Sequence, residues 1–594
     1  MLIRIIGLLF VSNLMLGCSL SPAKESNDST ESLSSIDTEQ SIKQTQTDHQ
    51  SIEDGIEDTE YGAFTTDTLF SLLVAEIAGQ RQQYSVSLAN YLEQAQTTQD
   101  PAIAERATHI AQYLGSKRYA FEASKVWVAT APNNPLAHQS LAQAFISSGD
   151  FINALEHMKI EFDLTGESQF DFLALSAQKL NIKDKLNLLS RIEAFTQKHS
   201  DYAPLWLAQG HLLSQLGEYS AALITINKSL DLQKNYTAAQ LAKSRVFHHL
   251  GQTEEALVIL DELHLKVPSN KGIGILRAKV LIDLNRFSDA RTAFHSLSQQ
   301  FEDDDSIKLS LALLHLELKE YDEAIAIFND LTLNKDLSND AYFYLARIAE
   351  QQKDTSRALR NYDQIEPSQQ FLPSIIKSSN ILIYLEDINA AREYIQYKRE
   401  QFPEYTIELI QIEIELLTRH HDFSAGYQLA SNALVEYPDN TSLLYSRGLL
   451  AEKMDNFPQL ERDLRRIIEL KPNDAEALNA LGYSLSNSTD RHEEALVLIE
   501  KALILSPNNP AIMDSLGWVH YKMGNLPYAL EMLQKAFHDF PDHEVGAHLG
   551  EVLWKLGKKT EAREIWQRGL KQNSESPIIE ETMKRLNANS SKNK

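Results

Sequence analysis

The sequence predicts an all-α solenoid in which antiparallel helix pairs are stacked one after another. Two small-residue positions recur every 33 to 35 residues, and two helices approach closely only where both lack bulk. The first position holds a small residue in fourteen of fifteen repeats: Ala75, Thr108, Ala142, Ser176, Gly210, Ser244, Ala278, Ala312, Ala346, Ser379, Ile414, Gly448, Gly482, Gly517 and Gly550. The second follows about twelve residues later and is small in thirteen of fifteen: Ser87, Ala120, Ala154, Leu188, Ala222, Ala256, Ala290, Ala324, Ala358, Ala391, Gly426, Leu460, Ala495, Ala529 and Ala562.

Turn residues and prolines divide each repeat at the expected places. The turn between the two helices is predicted at residues that tolerate the left-handed conformation: Gly115, Gly149, Gly217, Gly251, Asn285, Asp455, Gly524 and Gly557. Seven repeats close with a proline, which ends the second helix: Pro132, Pro268, Pro403, Pro438, Pro472, Pro507 and Pro541.

This period and pattern resemble the tetratricopeptide repeat (TPR), a helix-turn-helix unit of 34 residues. The resemblance implies a right-handed superhelix of about fifteen repeats, which we place at residues 65–574. Residues 575–594 are predicted to form a capping helix and tail, because Ser576 and Pro577 are typical of a helix start and apolar residues follow at helical spacing.

The first residues are typical of a bacterial lipoprotein signal. Residues 1–17 combine Arg4 with an apolar stretch too short to span a bilayer. The segment Leu14–Cys18 resembles a lipobox, which implies cleavage before Cys18 and acylation of that cysteine; a plain secretory signal with an incidental cysteine is the alternative. Ser19 favours sorting to the periplasmic face of the outer membrane in enteric-type bacteria, and several acyl chains suffice for stable anchoring. Residues 18–64 are predicted to be a disordered acidic tether.

Composition and motifs argue against nucleic-acid binding and against catalysis. The formal net charge of -26 does not suit a phosphate backbone. The chain lacks a GxSxG elbow, a Walker A loop and a paired-histidine zinc helix. We therefore expect no enzyme activity, no cofactor and no metal site.

An aromatic ladder marks the predicted binding surface in the last four repeats. In TPR proteins the first helix of each pair lines the concave groove, and the resemblance places these residues on it: Tyr445, Tyr483, Trp518, Tyr521 and Trp554. Aromatic side chains are common binding hot spots. Packing between repeats is the alternative, and for Trp518 and Trp554 both interpretations stay open.

Two stretches resemble a particular proteobacterial family of large TPR outer-membrane lipoproteins. They are Leu69–Ala107, which begins with Leu69-Phe-Ser-Leu-Leu-Val-Ala-Glu-Ile, and the pair Asp514-Ser-Leu-Gly-Trp518 with His548-Leu-Gly-Glu-Val-Leu-Trp554. The better understood members are adaptors that bind and activate a periplasmic carboxyl-terminal processing protease and bring it substrates such as peptidoglycan hydrolases. The resemblance implies that partner here.

The apolar N-terminal helix is the candidate protease contact. Its residues Leu69, Leu72, Leu73 and Ile77 cover more than one helix face, although the next repeat could cover them instead. Self-association is a further possibility. The alternative function is a structural TPR lipoprotein of a pilus or polysaccharide export machine.

Overall fold

The computed structural model describes residues 64–586, and all their regular structure is helical. Those residues form thirty-one α-helices and two short 3-10 helices, with no β-strand among them. The predicted all-α fold is confirmed. The predicted signal peptide, Cys18 and all of the tether except Phe64 lie outside the described residues.

The described residues divide into two compact units, with the boundary between Ile327 and Phe328. Helices of the first unit are α1 Thr66–Gln80, α2 Tyr84–Thr98, α3 Pro101–Tyr113, α4 Lys117–Thr130, α5 Pro135–Ser148, α6 Phe151–Thr165, α7 Phe170–Ser176, α8 Ile182–Thr196, α9 Ala203–Gln215, α10 Tyr219–Leu232, α11 Thr237–His249, α12 Thr253–Lys266, α13 Lys271–Asp283, α14 Phe287–Gln300 and α15 Asp305–Glu317. Helix α16, Tyr321–Leu331, contains the boundary.

The second unit continues the same alternation of first and second helices. Its helices are α17 Ser338–Gln351, α18 Thr355–Asp363, α19 Phe371–Leu385, α20 Ile388–Gln401, α21 Thr406–Arg419, α22 Phe423–Glu436, α23 Thr441–Lys453, α24 Phe457–Leu470, α25 Ala475–Ser488, α26 His492–Leu505, α27 Pro510–Lys522, α28 Leu526–Asp539, α29 His543–Lys555, α30 Lys559–Gln572 and α31 Pro577–Arg585. Helices α1 to α30 thus make fifteen pairs, as the sequence predicts.

The small-residue positions lie where the paired helices meet. All fifteen residues of the second position are buried, and so are fourteen of the first. The exception is Ser176, at the end of the seven-residue helix α7, where a 3-10 turn at Ala177–Lys179 changes the helical phase and buries Ala177 instead. This irregular pair also accommodates Leu188 at the second position.

Two of the three bulky residues at these positions, Ile414 and Leu460, belong to helix pairs whose other position is a glycine. Gly448 lies against Leu460, whose Cδ1 would be 3.3 Å from a Cβ added to the glycine. In the preceding pair Ile414 is on the first helix and Gly426 on the second, and a Cβ added to Gly426 would lie closest to Leu450 and Leu417. The constraint on each crossing is therefore the combined volume of its two residues.

The turns confirm the predicted left-handed positions. Every predicted turn residue has a positive φ, from 57° at Asp455 to 86° at Gly149. Four turns that the sequence did not mark also adopt this conformation, at Gln82, Lys319, Lys353 and His421. Each of the seven closing prolines lies two residues beyond the end of a second helix.

Helix α31 covers the last helix pair. The Ser576 side chain caps it by accepting a hydrogen bond from the Ile579 N–H, and Pro577 is its first residue. Ile579 is fully buried in a core with residues of α28 to α30, including Trp566 and Phe537. Its opposite face carries Glu580, Glu581 and Lys584, so the C-terminal end of the stack is covered by a polar surface, as repeat proteins need for solubility.

Candidate partner-binding surfaces

In the second unit, several consecutive first helices pack directly beside one another. Helix α25 contacts α27, α27 contacts α29, and α29 contacts α31. Side chains that are about one repeat apart in the sequence can therefore contact each other on these helices. We call the surface formed by α23, α25, α27 and α29 the first-helix face.

The predicted aromatic ladder lies on these helices, at two depths. Tyr445, Tyr483, Tyr521 and Trp554 are half-buried. Trp518 is only 6% exposed, because its ring is stacked with Tyr521 at a centroid distance of 4.9 Å and with His548 of the next first helix at 4.1 Å. Trp518 therefore belongs to the packing between repeats.

Trp554 combines packing with exposure. Its ring centroid lies 5.7 Å from that of Trp566 on the paired helix. The Lys559 ammonium and the Arg563 guanidinium lie 5.1 Å and 5.2 Å from the Trp554 ring centroid. The indole surface is therefore shared between the core and two cations.

A buried imidazole–carboxylate pair supports the ladder. His548 Nδ1 lies 3.0 Å from both carboxylate oxygens of Asp514, and the pair is almost fully buried. Burial alone would lower the pKa of His548, but the Asp514 carboxylate outweighs it and the pKa is raised above its usual value. The His548 ring also lies 6.0 Å from that of Tyr483, so this pair links three successive first helices.

A second polar link joins the ladder to the terminal helix. Tyr521 donates a hydrogen bond of 2.7 Å to Glu551, and Arg585 of α31 binds both oxygens of the same buried carboxylate. Burial by itself would raise the pKa of Glu551, but the hydrogen bonds from Arg585 and Tyr521 outweigh it and hold the pKa below its usual value. A bidentate pair of this kind fixes the position of α31.

Carboxylates surround the ladder tyrosines. Burial raises the pKa of Tyr445, and the negative charges of Glu476, Asp474 and Glu452 add to that rise. Burial likewise raises the pKa of Tyr483, followed by the charges of Asp514, Glu544 and Glu452. Glu452 acts on both tyrosines, so Tyr445 and Tyr483 share one acidic surface.

Sequence reasoning identified the aromatic residues but missed their polar partners. Asp514, His548, Glu551 and Arg585 form the links between repeats. The signal was their spacing, because Asp514 and His548 are 34 residues apart, as are Glu551 and Arg585. One repeat period places such residues side by side on neighbouring first helices.

Three of the four predicted N-terminal contact residues are exposed on α1, the first helix of the described residues. Leu69, Leu73 and Ile77 follow one another at every fourth residue of α1, and they are 56%, 53% and 48% exposed. Phe70 beside them is also exposed, whereas Leu72 is half-buried against the first core. We call Leu69, Phe70, Leu73 and Ile77 the α1 apolar row.

Residues 64–586 contain neither a metal-binding cluster nor a membrane-spanning helix. That range contains no grouping of three or more histidine, cysteine, aspartate or glutamate residues able to hold a metal ion. It also contains no helix with the length and apolar character needed to cross a membrane.

Comparison with known proteins identifies the family. Tetratricopeptide repeat patterns match residues 203–236, 275–337 and 515–577. The TPR repeat-containing protein PA4667 of Pseudomonas aeruginosa is 38% identical over 492 residues, which cover 83% of each chain. This chain belongs to the TPR repeat-containing protein family. As a TPR protein it is a scaffold of the kind that binds other proteins.

Two other similarities are more distant. The cellulose synthase operon protein C of Pseudomonas fluorescens is 24% identical over 246 residues, 38% of this TPR chain and 19% of that protein. A solved structure of Naa15/Naa10 bound to HypK-THB aligns over 88% of this chain and 96% of the other, with 12% identity and a TM-score of 0.37.

Proposed function

We propose that this TPR protein is a non-catalytic adaptor anchored to the outer membrane through Cys18. It binds and activates a periplasmic carboxyl-terminal processing protease and delivers substrates such as peptidoglycan hydrolases to it. The α1 apolar row is the protease contact, and the first-helix face of the last repeats receives the substrate.

The contrast between the two ends of the repeat stack carries this proposal. At the C-terminal end, α31 buries Ile579 and covers the last pair. At the other end of the described residues, α1 exposes Leu69, Leu73 and Ile77. An exposed apolar row on a terminal helix is the kind of surface that a protein partner covers.

The test uses the purified protein and the carboxyl-terminal processing proteases of the same genome. The scaffold alone should cleave nothing, and it should raise the rate at which one of those proteases degrades a peptidoglycan hydrolase. Leu73→Asp with Ile77→Asp should abolish both protease binding and stimulation. A matched control places the same charges at Leu265 and Val435, which are 83% and 84% exposed on second helices; it should leave binding unchanged.

Substrate delivery is tested at Tyr521. Trp518→Ala would remove a buried ring and destabilise the fold by about 3–5 kcal/mol, so it cannot isolate binding. Tyr521→Ala removes a half-buried aromatic surface and should weaken substrate capture while protease binding persists. Loss of both activities together would contradict the assignment of separate surfaces, and failure of any such protease to bind the full protein would refute the adaptor function.

A structural role in an export machine is the second candidate. The similarity to the cellulose synthase operon protein C favours it, because that protein is encoded with a polysaccharide synthase. Under this alternative, purification of the membrane-anchored protein would recover secretion components in place of a protease. Deletion would then reduce polysaccharide export without changing hydrolase levels.

A further inference from the structure

Two histidines of the third helix pair share a hydrogen bond between their rings. His138 on α5 is only 3% exposed, and its Nδ1 lies 2.9 Å from Nδ1 of His157 on the paired helix α6. The centroids of the two rings are 5.1 Å apart. His157 is half-buried, and its ring also stacks on Phe145 of α5 at a centroid distance of 5.6 Å. The histidine pair therefore lies in the contact between the two helices.

The backbone determines which nitrogen of His138 carries a hydrogen. Nε2 of His138 lies 2.8 Å from the carbonyl oxygen of Pro132. A carbonyl oxygen only accepts hydrogen bonds, so Nε2 must be the donor. In a neutral imidazole the other nitrogen is then an acceptor. Nδ1 of His138 therefore accepts the hydrogen bond that Nδ1 of His157 donates.

This hydrogen bond tolerates one added proton but not two. A proton taken up at Nε2 of His157 leaves the bond intact, because Nδ1 of His157 still donates. A second proton could enter only at Nδ1 of His138, where two N–H groups would then face each other across 2.9 Å. Two positive charges would also meet in a contact that is largely shielded from water. The two rings must separate before both can be protonated.

Charged groups on α6 and α8 balance one another beside the pair. Glu156, which precedes His157, lies 2.9 Å from the Lys159 ammonium and 3.7 Å from the Arg191 guanidinium of α8. Burial lowers the pKa of His157 and the charge of His138 lowers it further, whereas Glu156 acts in the opposite direction without reversing the shift. The direction of this shift agrees with a contact that resists a second proton.

Other charged groups on the helices packed around the pair have partners of their own. Burial raises the pKa of one of them, Glu161, so its titration opposes the histidine effect as the pH falls. Comparison among proteins that all keep Glu161 removes that contribution. The partnered groups are Arg118 with Glu122 and Lys125 with the Phe121 ring on α4, Glu161 of α6 with Ser168, and Asp171 of α7 with Tyr236.

We propose that the His138–His157 pair is an acid-sensitive joint, which holds α5 against α6 at neutral pH and releases them when both imidazoles are protonated. In the separated state each histidine titrates near its usual pKa of about 6.5, so that state takes up two protons where the closed contact holds one. The stabilisation is therefore complete above about pH 6.5 and is lost as the pH falls below that value. Protonation of clustered histidines opens packed contacts in this way.

The position of the joint gives it a regulatory consequence. Helices α5 and α6 follow the first two helix pairs in the chain, and each repeat is stabilised by its neighbours. Opening of the joint therefore loosens the attachment of the repeats that carry the α1 apolar row. The His548–Asp514 pair responds in the opposite sense, because its raised pKa keeps it intact in acid.

The test is amide hydrogen exchange of the full-length protein at about pH 7.5 and about pH 5.5, corrected for the intrinsic chemical exchange rate. On acidification, protection in α5 and α6 should fall about three- to tenfold more than in α19 and α20, which contain no histidine. One proton of difference between the two states allows at most about tenfold per pH unit. An equal pH response of the two helix pairs in the wild-type protein would overturn the proposal without any variant.

Two substitutions assign the response to the histidine pair. His157→Gln removes the titrating ring but keeps an amide N–H that can donate to His138, and α5 and α6 should then lose most of their extra pH response. The matched control is His199→Gln, since His199 is also half-buried and packs on Phe162 and Phe195 at centroid distances of 4.9 Å and 4.5 Å. This control should keep the full response of α5 and α6. A wild-type response in His157→Gln, or the same loss in both variants, would overturn the assignment.

Discussion

Replacing Gly550 with alanine adds one carbon atom, the Cβ, to the interface between the two helices of the last pair and so tests how tightly they pack. A Cβ at Gly550 would lie 2.1 Å from Nε1, 2.5 Å from Cε2 and 2.6 Å from Cδ1 of Trp566. Trp566 is 1% exposed and is among the largest fully buried side chains of the described chain. The indole must therefore move, or α29 and α30 must separate.

The net change in stability is the cost of overpacking the core minus the gain from replacing a helical glycine with alanine. Overpacking of a core costs about 1–3 kcal/mol, whereas replacing glycine with alanine inside a helix stabilises by about 0.5–1 kcal/mol. Gly550→Ala should therefore destabilise the last repeats by about 1–2 kcal/mol net. Gly272→Ala is the control, because its nearest neighbour would be Asn270 Oδ1 at an ordinary 3.4 Å; it should be neutral or slightly stabilising.

Amide hydrogen exchange followed by mass spectrometry is the appropriate measurement, because a long repeat array need not unfold in one step. Gly550→Ala should accelerate exchange in α29, α30 and α31 and leave distant pairs unchanged, as expected for stability shared between neighbours. The double variant with Trp566→Phe should recover part of the loss, with a coupling of about 1 kcal/mol. Unchanged exchange in these three helices, or additive effects of the two changes, would refute this account of the crossing.

Three further outcomes follow from the described contacts and the sequence. Ala529 is fully buried beside Gly517, so Ala529→Leu should cost about 1–3 kcal/mol and speed amide exchange in the C-terminal repeats; an unchanged exchange pattern would contradict the crossing. Although burial would lower it, the pKa of His548 is raised by Asp514, so the pair contributes its full stabilisation at a pH below the usual histidine pKa of about 6.5. That contribution should be lost as the pH rises through the folded-state pKa of His548. Asp514→Asn should remove this pH dependence from amide exchange measured over the same pH range. Cys18→Ser should release a soluble form or leave an uncleaved precursor in membrane fractionation, and normal processing with retention in the outer membrane would contradict lipid anchoring.

The fold could be predicted because its strongest constraints are local. Two helices cross closely only where each has a small residue, and a left-handed turn favours glycine. Each of these features can therefore be recognised from one or two residues in the sequence. The turns at Gln82, Lys319, Lys353 and His421 could not be predicted in this way. A non-glycine residue in that conformation costs about 1 kcal/mol, which the packing of the two flanking helices can outweigh.

Less of the candidate site could be predicted, since its residues act in pairs. Aromatic residues at groove positions stand out individually, but Asp514, His548, Glu551 and Arg585 each look like ordinary polar helix residues in the sequence. Their burial and their partners appear only when one repeat is stacked on the next. The same stacking places Trp518 in the packing between repeats, a location that its sequence position left open.

The exposure of the α1 apolar row also determines how a partner's binding should change amide exchange in the scaffold itself. Helix α1 has a neighbour on one side within the described chain, so a helix docked on the α1 apolar row would supply the interface that a preceding repeat would otherwise provide. Binding at a hundredfold excess over Kd stabilises the bound state by about 2.7 kcal/mol, and nearest-neighbour coupling confines most of that gain to the adjoining pairs. Amide protection should therefore rise in α1 and α2, decline over α3 and α4, and stay unchanged at α31. Protection that rose only in the last repeats would place the partner on the first-helix face instead and would separate the two proposed surfaces in one measurement.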